Sequence, residues 1–134
     1  MTETECRIFF KEELRLLENL AENSRRQMGK LEKRLWSGLR RLSAERDDYL
    51  RTWQNRKDQR TEAWETFGDS MQALCAEVRA KQTEVERLHA ALIQETQCAK
   101  QAQALKLQRL NKGQVATNRY EGPAPTSIRW NIQG

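Results

Sequence analysis

The chain is expected to fold as an elongated all-α protein, either an antiparallel helical hairpin or a three-helix coiled-coil bundle, followed by a mobile C-terminal tail. Three observations carry this. No proline lies between Glu3 and Lys112, so nothing in that span interrupts a helical hydrogen-bond ladder. Apolar residues recur there every three or four positions, the period of an amphipathic helix and not of a strand. Of 134 residues, 37% are hydrophobic against 32% charged, and the mean hydropathy is −0.94, which suits slender helices that each bury one stripe.

The first arm carries a seven-residue series of Leu14, Ala21, Met28, Leu35, Leu42 and Tyr49, with Leu17, Leu31, Leu39 and Trp53 beside it. The drift of this second stripe points to packing within a bundle rather than to one uninterrupted coiled coil. Gly29 and Gly38 each weaken a helix by about 1 kcal/mol relative to alanine. A break around Asn23 to Lys30 would therefore make three helices instead of two.

The strongest break is Phe67-Gly68-Asp69-Ser70. Glycine lets the chain leave a helix, and Asp69 with Gln72 three residues on resembles a capping box for the next one. A second seam follows, through Trp64, Met71, Val78, Val85, Leu92 and Ala99, with Phe67, Leu74 and Leu88 alongside. At about 1.5 Å per residue, the arms from Glu3 to Thr66 and from Ser70 to Lys112 would be roughly 95 Å and 65 Å long, so one end stays uncovered.

After Asn111-Lys112-Gly113 the pattern stops, which divides the chain into a helical part, 1–112, and a tail, 113–134, that holds both prolines. Within the tail, Ile128, Trp130 and Ile132 alternate with polar residues, so an extended segment over 126–133 would present them on one side. They dock either on a partner or on the protein's own helices.

Charge alternates along the chain. Residues 1–24 carry three basic and six acidic groups, 25–60 twelve and five, 61–95 three and seven, and 96–134 six and one. A chain folded back at Gly68 would lay the basic block 25–60 beside the acidic block 61–95. The cluster Arg25, Arg26, Lys30, Lys33, Arg34, Arg40 and Arg41 resembles a nucleic-acid footprint. Trp36 is the one aromatic in it, however, and acidic blocks flank it, which favours a solvated face with intrachain ion pairs.

Little here suits catalysis. Cys6, Cys75 and Cys98 are separated by 69 and 23 residues, a spacing of neither a disulfide framework nor a zinc cluster. His89 is the single histidine and is expected at a surface or groove edge. Asp47 and Asp48, which stand four and three residues before Arg51, are read as ion-pair partners of Arg51 or Arg46. No phosphate-binding glycine loop occurs. The expectation is a binding protein without cofactor or metal, a monomer or homodimer. No apolar run approaches the roughly 18 residues of a membrane span. An acidic start without an apolar h-region points to the cytoplasm.

The spacing Leu31, Leu35, Leu39, Leu42, Arg46, Tyr49, Leu50 resembles the first hairpin arm of FlgN-type flagellar export chaperones. Residues 74–110 look like that family's last helix, and Tyr120-Glu121-Gly122-Pro123 is similar to its Tyr-Gly tail element. The resemblance implies a cytosolic type III export chaperone. Such a protein captures an amphipathic helix of a hook–filament junction protein, blocks its premature assembly and delivers it to the export gate, with Tyr120 as the tail residue that touches the gate. Independently of the family, a partner helix could lie in a groove lined by Val78, Val85, Leu88, Leu92 and Ala99. Competing readings are a FliJ-like stalk of the export ATPase or another coiled-coil adaptor, and a basic helical nucleic-acid binder.

Overall fold

The computed structural model describes residues 1–113. Four helices follow one another: α1 (Glu3–Glu32), α2 (Trp36–Asn55), α3 (Lys57–Phe67) and α4 (Gln72–Gly113). Together they make an all-α bundle of three rods, because α2 and α3 are one rod interrupted only at Arg56, whose φ of −94° and ψ of 5° leave the helical range. Side-chain pairs set the directions. Asn23 meets Leu42, Leu20 meets Arg46 and Cys6 meets Ala63, so α2–α3 runs antiparallel to α1. Arg25 pairs with Glu84 and Leu31 packs with Leu92, so α4 runs parallel to α1.

Thr2 starts α1. Its hydroxyl accepts from the Glu5 amide at 3.2 Å, and Glu3 and Glu5 face the positive helix end. The helix then continues through Asn23 to Lys30, the segment where the glycine spacing left room for a kink or short break, and reverses at Lys33-Arg34-Leu35 instead. That turn is a Schellman motif: the Leu35 amide donates to the Lys30 carbonyl at 2.9 Å and the Arg34 amide to Leu31 at 3.1 Å. The left-handed position is filled by an arginine, Arg34, at φ 55°, where glycine is usual. With no glycine to mark it, the turn is not conspicuous in the sequence.

The second reversal falls at 68–71, in the expected place. Its glycine serves a different end from the one expected. Gly68 has ordinary helical angles, φ −56° and ψ −41°, but a Cβ there would lie 2.5 Å from the Trp64 carbonyl oxygen. Close approach, not left-handed backbone, demands it.

The core has two apolar compartments. The larger joins Cys6, Phe10, Leu17, Ala21, Met71 and Val78, with Trp64 set edge-on to Phe10 at 5.3 Å between ring centroids. The smaller joins Leu31, Leu39, Leu92 and Ala99, with Met28 and Trp36 against it. The seam from Met71 to Ala99 is buried throughout its heptad positions. The first-arm series is not, since Leu35 falls in the turn and is 45% exposed. A heptad that crosses a chain reversal cannot keep one face inward.

The charged blocks also pair differently from the expectation. Arg56 and Arg60 of the basic block both turn to α1, where the buried Glu13 accepts from Arg56 Nε at 2.6 Å and from Arg60 Nε at 2.7 Å. The basic block thus lies chiefly along the acidic N-terminal block, and Arg25–Glu84 is an ion pair from it to α4. The reason is topological: the turn at 33–35 folds block 25–60 back onto 1–24 before the chain reaches 61–95.

Candidate docking surface at the basic end of the bundle

Between the two apolar compartments runs a polar layer. Asn23 donates to the Leu42 carbonyl at 2.8 Å, Gln27 donates to Asn23 Oδ1 at 2.6 Å, and Arg46 donates to the Leu20 carbonyl at 3.2 Å and Ser24 Oγ at 2.7 Å. The second guanidinium nitrogen of Arg46 meets His89 Nδ1 at 2.6 Å. Arg46 is 3% exposed, and its bonds among the described residues run to neutral acceptors, so no carboxylate there bonds this buried cation, although the Asp47 charge acts on it. Desolvation lowers it to about 10, which leaves it charged at neutral pH. Desolvation, and then the Arg46 charge, hold His89 down to about 4, so the ring is neutral and accepts the hydrogen bond of Arg46 on Nδ1.

Sequence reasoning missed this layer. His89 was expected at a surface or groove edge and Arg46 on Asp47 or Asp48. Arg51 does pair with Asp48, at 3.2 Å, but Arg46 points inward. The available signal was Arg46 at a core register position between Leu42 and Tyr49–Leu50.

The five residues read as a partner groove lie elsewhere than on an open surface. Val78, Val85, Leu92 and Ala99 are 2%, 7%, 0% and 4% exposed, and Leu88 packs half-buried on the larger compartment. They form the internal seam against α1 and α2–α3, because those rods already supply the helical neighbours a partner would otherwise provide. Tyr120, Ile128, Trp130 and Ile132, and with them the segment 126–133, lie outside the described residues.

The basic cluster divides. Arg25 and Arg26 are engaged by Glu22, and Arg25 also by Glu84. Lys30 lays its stem over Gly38, whose absent side chain leaves room for it, with the Lys30 Cδ 3.0 Å from where a Cβ would stand. Lys33, Arg34, Arg40 and Arg41 are exposed at the α1–α2 turn.

At that same end α4 outruns its neighbours. Beyond Ala99 it continues to Gly113, roughly 20 Å of single helix. Gln103 and Leu107 are half-buried there, and Leu105 and Leu110 are 55% and 45% exposed. A cleft of about 300 Å³ opens where the overhang leaves the bundle, floored by Trp36, Ala99 and Ala102 and flanked by Arg34, Gln103 and Lys106. Chemically this end offers an apolar strip between cations.

A second, larger cleft lies at the other turn, between Trp64, Gly68, Gln72 and Arg79, where the Arg79 guanidinium stacks 4.6 Å over the Trp64 ring. Among the described residues no group of three His, Cys, Asp or Glu could hold a metal ion, and no helix is long and apolar enough to cross a membrane. Burial pushes the Cys6 and Cys75 thiols up, away from nucleophilic form. Comparison with family models, with curated proteins and with solved structures finds no match for this chain.

Proposed function

We propose that this protein is a helix-capturing export chaperone of the FlgN type. In this reading it binds the amphipathic C-terminal helix of a hook–filament junction protein in the cytoplasm, prevents that helix from assembling early and hands it to the type III export gate. The supporting observation is the α4 overhang. The seam that α1 and α2–α3 cover up to Ala99 runs on past Gln103, which still faces Trp36 across the cleft, to Leu107, half-buried, and Leu110, 45% exposed. A surface that packs helices along most of its length is suited to accept one more.

The test is calorimetric titration of the full chain with a peptide of the C-terminal helix of a hook–filament junction protein from the same organism. Saturable binding with modest dependence on salt supports the reading. Absence of binding, with tight association to the export ATPase instead, overturns it in favour of a stalk.

A further inference from the structure

We infer that the cleft between Arg34, Trp36 and Lys106 and the overhang beyond it form a docking surface for an acidic amphipathic helix, seated as an added rod on the exposed end of α4. The inference rests on the helix-capture reading and names its site and the chemistry of its partner.

Shape comes first. Leu110 stands three helical turns after Ala99 and Leu107 two turns after it, so both project from the sector that carries the internal seam. Leu105 falls on another side and is not needed. The strip therefore has the spacing that α1 and α2–α3 already match lower down, and an occupant with leucines at i, i+3, i+4 and i+7 repeats that packing. Trp36 at the cleft floor is half-buried, with surface still uncovered by its own bundle.

Charge selects among occupants. Residues 100–113 carry four basic and no acidic side chains, and residues 30–41 carry five basic and one acidic. A second copy of this chain seated here by its own overhang would bring cations against cations, which disfavours self-pairing. An acidic helix meets the complementary charge of Arg34 and Lys106 at the cleft, which fixes its register and speeds its encounter. Nucleic acid is less well served, because the floor is apolar and Trp36 is the single aromatic of the cleft.

Arg34 adds a local argument. It holds the left-handed position of the turn at φ 55°, where glycine would be unstrained, and its guanidinium donates to the Leu31 carbonyl at 3.3 Å, beside the cleft. Arg34 thus sets a cation at the rim of the apolar cleft.

The experiment uses the full chain and two synthetic helical peptides. Both have leucines at i, i+3, i+4 and i+7, one flanked by glutamates and one by lysines, and binding is read by fluorescence anisotropy. Wild type should bind the glutamate peptide at least about tenfold more tightly than the lysine peptide, a preference of the size rim charges supply. Arg34→Glu with Lys106→Glu should reverse that preference, and Leu110→Asp should weaken both peptides while circular dichroism stays unchanged. Equal binding of the glutamate peptide by wild type and all variants would place the site elsewhere and leave helix capture standing. Binding of the junction-protein helix without binding of either synthetic peptide would overturn the acidic-partner assignment alone, and failure of all three would sink both proposals. Tighter binding of duplex DNA, or of phosphatidylglycerol vesicles, lost on Arg34→Glu with Lys106→Glu, would overturn the helix in favour of nucleic acid or membrane.

Discussion

Arg46 of α2 donates to Nδ1 of His89 on α4 at 2.6 Å in the buried middle of the bundle, and this contact ties the two rods that flank α1. It requires a neutral imidazole. The folded value of about 4 lies below the ordinary 6.5, so between those limits the unfolded chain takes up a proton that the folded chain refuses. Stability therefore falls as pH drops below about 6.5 and levels off near 4, by about 2 kcal/mol after allowance for the partial exposure of His89. Urea unfolding at a series of pH values should show that slope, and His89→Asn should flatten it. An unchanged slope in the variant would assign the acid sensitivity to another group.

Glu13 is 1% exposed and lies between Arg56 and Arg60, themselves 18% and 15% exposed. Glu13→Gln leaves two cations facing a neutral amide and should cost about 3 kcal/mol, as loss of one member of a buried pair does. A loss below about 1 kcal/mol in denaturant unfolding would show that the Arg56–Phe9 and Arg60–Trp53 stacking, at 4.2 and 4.0 Å, holds the joint without the carboxylate.

Arg34→Gly should raise stability by about 1 kcal/mol, since glycine adopts the φ of 55° without a Cβ penalty. Thermal unfolding reads this directly. Under the docking proposal the same substitution lowers affinity for an acidic helix, so stability and binding should move in opposite directions.

Gly68→Ala should destabilise by about 1–3 kcal/mol, because the new methyl meets backbone 2.5 Å away and the turn must open. A neutral result in chemical denaturation would mean the turn relaxes without disturbing Trp64 against Phe10.

Leu92→Asp and Leu110→Asp separate seam from surface. Leu92 is 0% exposed, and an aspartate there should cost more than about 4 kcal/mol and abolish cooperative unfolding. Leu110 is 45% exposed, so its aspartate should leave stability within about 0.5 kcal/mol. Val85→Asp should follow Leu92, since it is 7% exposed.

How much of this was legible in the residues differs by element. Helix type followed from the absence of proline and the three-to-four spacing, which are local properties, and the buried run Met71 to Ala99 followed because one straight helix keeps one register. The turn at Gly68 was visible for the same local reason. The α1–α2 turn was hidden because its left-handed position is an arginine, so propensity marked Gly29 as the weak point when hydrogen bonding from Leu35 to Lys30 decided otherwise.

Sequence alone thus determined that the described chain is helical, where its longest seam lies and where it reverses before that seam, because backbone preference and periodicity act over a few residues. Only the tertiary structure decided that Glu13, and not the 61–95 block, receives Arg56 and Arg60, that Arg46 and His89 turn inward, and that the read groove is core while Leu110 near the end of α4 is exposed among the described residues. Those outcomes depend on which rods lie side by side, and that was settled by a three-residue turn whose effect reaches every charge it brings together.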